Sequence, residues 1–154
     1  MIQITKISND LLESLESVFE YVRNNTERHG DISTVYTFNA LQSDNLMNTK
    51  YASLLKELLQ ETSLNNMYEL FHAHSIEYNV GGYQEEHNHP PDDLSFILYF
   101  DTEKTGSTIL KIDDEIVSVD QVRGTLLIFS PHIPHSGTTV ETNKRIIVGA
   151  LKIR

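Results

Sequence analysis

The chain has 154 residues, a formal net charge of −10 and no cysteine. That length suits one domain with its own core, and 39% apolar against 22% charged residues argues for a folded chain rather than disorder. The missing thiols exclude disulfides, thiolate metal sites and cysteine nucleophiles, leaving histidine and carboxylate as the strong ligands. Negative charge spread along the sequence repels phosphate backbones and disfavours nucleic acid as a partner. No apolar run approaches a membrane span, and residues 1–6 lack the pattern of a secretory signal. A cytoplasmic protein with no membrane partner is expected.

The first predicted element is a helix capped by Asn9 or Asp10. Leu11, Leu12, Leu15, Val18, Phe19 and Val22 recur along it at steps of three and four. Asn24-Asn25 and His29-Gly30 should end it. A second amphipathic helix follows from Leu46 through Leu59, closing near Thr62-Ser63. The polar stretch between the helices has Tyr36 and Phe38 as anchors. Both apolar stripes read as packing surfaces.

From about Met67 the pattern becomes that of strands. The run over 68–80 is long and β-compatible, and Gly81-Gly82 should break it. Residues 94–100 form a nearly continuous apolar run. Residues 107–111 and 115–119 read as a hairpin about the acidic turn Asp113-Asp114. Gly124 opens the strand 125–129, and the run 145–153 closes the sequence. The predicted layout is a single domain, helical over about 1–65 and β over about 66–154. Helices followed by about seven short strands suggest a jelly roll or related β-sandwich.

Four of the seven histidines fall in two short stretches. One is residues 84–93, with His87 and His89 followed by Pro90, Pro91, Asp92 and Asp93. The other is residues 130–135, with His132 and His135. His87 and His89 stand at i and i+2, the same-face spacing of an extended strand. With His135 from another strand they could bind one first-row metal, leaving coordination positions open for chemistry. A loop histidine without a metal is the bland alternative, but two clusters and a following arginine outweigh it. Arg145 could hold a carboxylate bidentately at the far end of the cavity. Ser95, Ile97 and Tyr99 share a face, so the Tyr99 hydroxyl could donate to the same carboxylate. Its alternative is an ordinary core aromatic. His72 and His74 read as strand residues near a substrate.

Residues 78–90, 94–100 and 124–131, with His135 and Arg145, resemble the 2-oxoglutarate/Fe(II)-dependent oxygenase superfamily. The nearest pattern is that of its small bacterial and phage members, whose motif reads His-x-His-Pro. The likeness covers roughly the last half of the chain. It implies a double-stranded β-helix, a cupin-like jelly roll, with His87 and His135 as iron ligands. Arg145 would anchor the distal carboxylate of 2-oxoglutarate, with Tyr99 and Ser95 beside it. His89 stands where the superfamily usually has a carboxylate. The third ligand is then His89 itself, Asp92 or Asp93, or water. The implied activity is decarboxylation of 2-oxoglutarate by O2, coupled to hydroxylation of a peptide side chain or small molecule. A homo-oligomer is compatible with the sequence.

Two other readings fit these residues. A cupin-type three-histidine dioxygenase or isomerase would share the barrel and need no 2-oxoglutarate. A non-catalytic β-barrel binding module would keep the fold with a degenerate metal site.

Overall fold

A computed structural model describes residues 1–25, 36–88, 94–101, 106–119 and 121–154. Its strands are β1 (Ile2–Lys6), β2 (Thr37–Gln42), β3 (Tyr68–His87), β4 (Leu94–Tyr99), β5 (Thr108–Ile112), β6 (Glu115–Val119), β7 (Thr125–Phe129), β8 (His135–Gly137) and β9 (Lys144–Ile153). The helices are α1 (Asn9–Glu16), α2 (Val18–Asn25) and α3 (Ala52–Gln60), with a 3₁₀ turn at Leu46–Asn48.

All the strand pairs are antiparallel, in the order β1-β7-β4-β9-β3-β8-β5-β6, with β2 added on β3. β3 is the hinge of this arrangement. Its first half pairs with β9 from Tyr68 to Tyr78, and its second half pairs with β8 at Gln84 and His87. The Gly81-Gly82 dipeptide therefore does not end the strand. Gly81 sits at φ +89°, which glycine adopts without a Cβ clash, and the chain bends there to change partners. The result is two facing layers, β1-β7-β4-β9-β3 and β3-β8-β5-β6, forming a double-stranded β-helix.

Two apolar clusters follow from strands that are buried on both faces. The inner one lies between the layers and includes Ile76, Ile97, Leu110, Leu127, Phe129 and Ile146. The outer one packs the helices on the back of the first layer. There Leu15, Phe19, Leu55 and Leu58 meet Leu98 and Ile147.

The two expected helical segments are present in the N-terminal part, which also supplies strands. Residues 1–6 supply an edge strand against β7, and the stretch after Tyr36 supplies β2. The first helix is divided at Ser17 into α1 and α2. Its N-cap is Ser8, whose Oγ accepts from the Leu11 N–H at 3.4 Å. The second helix begins later than its apolar stripe, because residues 46–48 form the 3₁₀ turn. The His29-Gly30 signal lies outside the described residues. The β5–β6 hairpin turns as expected on Asp113 and Asp114, both at positive φ, as a type I′ turn requires.

Gly149, on β9 between Ala73 and Phe96, allows the two strands to close up. A Cβ there would stand 2.2 Å from the His72 carbonyl oxygen and 2.6 Å from a Phe96 ring carbon. Neither neighbour can retreat without moving backbone or core. Gly149→Ala is expected to destabilise the protein by about 1–3 kcal/mol, read as a lower urea midpoint at unchanged slope.

Candidate metal centre and its cavity

A cavity of about 380 Å³ opens on the inner face of the barrel, with His87 and His135 among its lining residues. The two histidines are direct cross-strand partners, which places both side chains on one face and close together. Their ring centroids are 4.1 Å apart, inclined at 58°. His135 is buried and His87 half-buried.

Each imidazole is oriented by the backbone two residues before it. His87 Nδ1 lies 2.8 Å from the Glu85 carbonyl oxygen, and His135 Nδ1 lies 3.0 Å from that of Ile133. A carbonyl can only accept, so each Nδ1 bears the proton and each Nε2 carries the lone pair. Burial lowers the His87 pKa, opposed by the Glu85 hydrogen bond, and favours the neutral ring that a metal needs. Tyr36 stacks on His87 at 4.6 Å and 9°, and Phe129 meets His135 edge-on at 4.8 Å. Two neutral imidazoles with neighbouring rings, packed by aromatics, are the donor type that suits a divalent first-row metal. The proposed third ligands, His89, Asp92 and Asp93, lie outside the described residues. Among the described residues no group of three histidines or carboxylates could hold an ion.

Ser95 and Ile97 line the cavity as their shared face predicts. Tyr99 lies deeper on that face, and its hydroxyl is hydrogen-bonded with that of Thr108. Burial pushes the Tyr99 phenol above its ordinary pKa.

The anchor expected at Arg145 is not at the cavity. β9 alternates, and its even-numbered residues Lys144, Ile146 and Val148 face inward while Ile147 and Leu151 face the helices. Arg145 follows the odd set. Its Nη2 donates to Asp101 Oδ1 at 2.9 Å and Glu16 Oε2 at 2.8 Å, and its guanidinium lies over Phe19. Glu16 also binds Arg123. That hydrogen bond, with Arg145 adding to it against the cost of burial, holds Glu16 below the usual carboxylate range. This network ties α1 to the sheet, so Arg145→Gln is expected to cost about 1–2 kcal/mol of stability. Its urea midpoint should fall while the affinity for small ligands in the cavity stays unchanged.

The inward cation is Lys144, which sequence reasoning missed. It is 4% exposed, and its Nζ lies 5.7 Å from the ring centroids of both Tyr78 and Tyr99. No carboxylate among the described residues comes within ion-pair distance of it. Burial pulls its pKa down to about 8, with the more distant Asp101 opposing. Lys144 is not itself among the residues that line the cavity; its ammonium is packed in the inner core against two aromatic faces.

His72 and His74 also line the cavity. A bulge at Phe71 shifts the pairing between Leu70 and His72, so Leu70 packs toward the helices while His72 and His74 turn inward.

No family model matches the sequence, and no curated protein matches it closely enough to be a relative. The likeness is to solved structures. A prolyl-4-hydroxylase from Pseudomonas putida superimposes with a TM-score of 0.75 at 15% identity, covering 100% of this chain and 92% of the other. A viral collagen prolyl hydroxylase from Paramecium Bursaria Chlorella virus-1, in complex with 2OG, gives 0.67 at 14%, covering 98% and 95%. HygX from Streptomyces hygroscopicus, with nickel and 2-oxoglutarate bound, gives 0.69 at 9%, covering 98% and 82%.

This chain has the fold of the 2-oxoglutarate/Fe(II) oxygenases. At such identities the likeness establishes the double-stranded β-helix fold. Among the described residues, no helix is long and apolar enough to cross a membrane.

Proposed function

We propose that the protein is a 2-oxoglutarate- and Fe(II)-dependent oxygenase that hydroxylates a C–H bond of a small molecule or peptide side chain. The observation that carries this is the His87–His135 pair, two Nδ1-anchored imidazoles 4.1 Å apart at the cavity wall. His87 and His135 would hold the iron, with His89, Asp92 or Asp93 as the third protein ligand. O2 would be the oxidant at the iron, and 2-oxoglutarate, decarboxylated to succinate, would give two of the four electrons O2 takes up, the C–H bond giving the other two.

The chain's own residues have separate tasks. The Glu85 and Ile133 carbonyls hold the imidazoles in one tautomer, which keeps Nε2 basic toward a metal. Lys144 would take the distal carboxylate of 2-oxoglutarate by a charge-assisted hydrogen bond, with the Tyr99 and Thr108 hydroxyls beside it. A carboxylate there would offset the cost of burying the ammonium. Phe129, Ile97 and Val148, which line the cavity, would keep water from the reacting groups.

Lys144 favours this reading over the cupin alternative, because a cofactor-free three-histidine centre gives no use for a buried ammonium. The test is anaerobic purification and metal analysis, then succinate formation from 2-oxoglutarate with ascorbate. Stoichiometric iron with 2-oxoglutarate-dependent succinate is expected. Iron without that dependence would favour the cupin reading, and protein that takes up no metal would favour the binding module.

A further inference from the structure

The cavity has a second polar pole, on the first half of β3. His74 Nδ1 lies 3.0 Å from the Ser43 carbonyl oxygen. Ser43 is itself fixed to this strand: its N–H donates to the Ser75 carbonyl at 2.9 Å, and its Oγ accepts from the Ser75 N–H at 2.9 Å. The His74 ring is therefore held by backbone on the neighbouring segment. Because the carbonyl accepts, Nδ1–H donates, and the neutral ring offers Nε2 as an acceptor. The His72 ring lies 5.3 Å away. Gln42, paired with Ile76 on the same strand, adds a primary amide that can both donate and accept.

The charge of the lining narrows the ligand. No Asp, Glu, Lys or Arg is among the described residues that line the cavity, although the chain as a whole carries a net charge of −10. Among the described residues of this pole a cationic ligand would find no carboxylate and an anionic one no fixed cation. Burying either charge unpaired is costly. An uncharged ligand with an N–H or O–H to give to His74 incurs no such cost. The volume of about 380 Å³ is at the small end for drug-sized ligands, which limits the ligand to a compact molecule.

We propose that His72, His74 and Gln42 form the recognition subsite for the substrate, an uncharged small molecule with an amide or hydroxyl end and a compact apolar body. The amide or hydroxyl donates to His74 Nε2 and exchanges hydrogen bonds with Gln42. The apolar body lies against Phe71 and faces the His87–His135 end. As the place where an oxygenase substrate binds, this rests on the proposed function; as a binding site it does not.

The experiment uses the full chain without metal and three probes of matched size: benzamide, benzoate and benzylamine. The readout is the NMR shift of the His72 and His74 ring protons, assigned with His72→Gln and His74→Phe variants. Benzamide at millimolar concentration is expected to shift both resonances, and the charged probes to shift neither. His74→Phe and Gln42→Leu should each weaken benzamide by about tenfold; Gln42→Leu covers the case in which His74→Phe fails to fold. No benzamide shift, or an equal shift with benzylamine or benzoate, overturns the proposal. A Zn(II) titration closes the remaining reading: a second bound equivalent that disappears in His72→Gln would make the pair a metal site and also overturn it. Since no step needs iron or turnover, absence of succinate in the earlier assay would sink the oxygenase reading and leave this one standing.

Discussion

His135→Ala is expected to abolish both stoichiometric metal binding and 2-oxoglutarate-dependent succinate formation. Changing groups that merely orient a metal ligand typically costs 10–100-fold in affinity or activity, so removing a ligand should exceed about 100-fold. The same result is expected for His87→Ala. The two variants differ in their effect on the fold. His135 is 4% exposed and packed against Phe129, so its loss leaves a void in the inner core and should also lower thermal stability. His87 is half-buried near the rim, so its variant should stay close to wild-type stability. Metal content by elemental analysis, with a melting curve for each variant, separates lost chemistry from lost structure. Two metal-loaded alanine variants would contradict the assignment.

Lys144→Met is the second large effect. A charge-assisted hydrogen bond contributes about 1.5–3 kcal/mol, so 2-oxoglutarate affinity should fall by roughly 10- to 150-fold. The KM for 2-oxoglutarate should rise with it, while metal content stays normal. Stability should move the other way. The folded state lowers the Lys144 pKa from 10.5 to about 8. Between those values the unfolded chain holds the proton and the folded chain does not, so wild-type stability rises with pH across that window. Below about pH 8 the buried charge is a cost that methionine lacks. Lys144→Met should therefore be more stable than wild type near neutral pH, and the difference should shrink as pH climbs toward 10.5. Urea midpoints at several pH values check this, and a pH-independent difference would show that folding leaves the Lys144 pKa unshifted.

The β-helix was legible because its strands are short, apolar and separated by turn residues. The acidic hairpin and six of the seven strands after Met67 appear where the sequence put them, although β3 runs on past Gly81-Gly82, and the short β8 was not located. Two strands in the N-terminal part were not legible. Residues 2–5 alternate, but over too few positions to stand out, and 37–42 do not alternate; both strands form on the edges of β7 and β3 that they cover. Such tertiary pairing overrides weak local preference.

The cation is the instructive miss. In Lys144, Arg145, Ile146 and Ile147, both faces of β9 are apolar after the first two residues, so period two cannot reveal which charge turns inward. The helices that bury the odd face decide it, through Glu16 and Phe19. His72 and His74 were read as strand residues near a substrate and do line the cavity, but their inward parity relative to Leu70 was not legible. The bulge at Phe71 resets the parity of β3, and a bulge leaves no mark in composition. By contrast, the His87 and His135 clusters could be read directly, since turn residues flank each and a strand adjoins it.

The central claim is that His87 and His135 hold a metal whose partner, 2-oxoglutarate, reaches back to Lys144. Calorimetric titration of 2-oxoglutarate into Fe(II)-loaded protein without oxygen tests it most directly. The account predicts one site per chain, absent in His135→Ala, much weakened in Lys144→Met and unchanged in Arg145→Gln. Undiminished binding in Lys144→Met, or binding lost in Arg145→Gln while that variant remains folded, would contradict it.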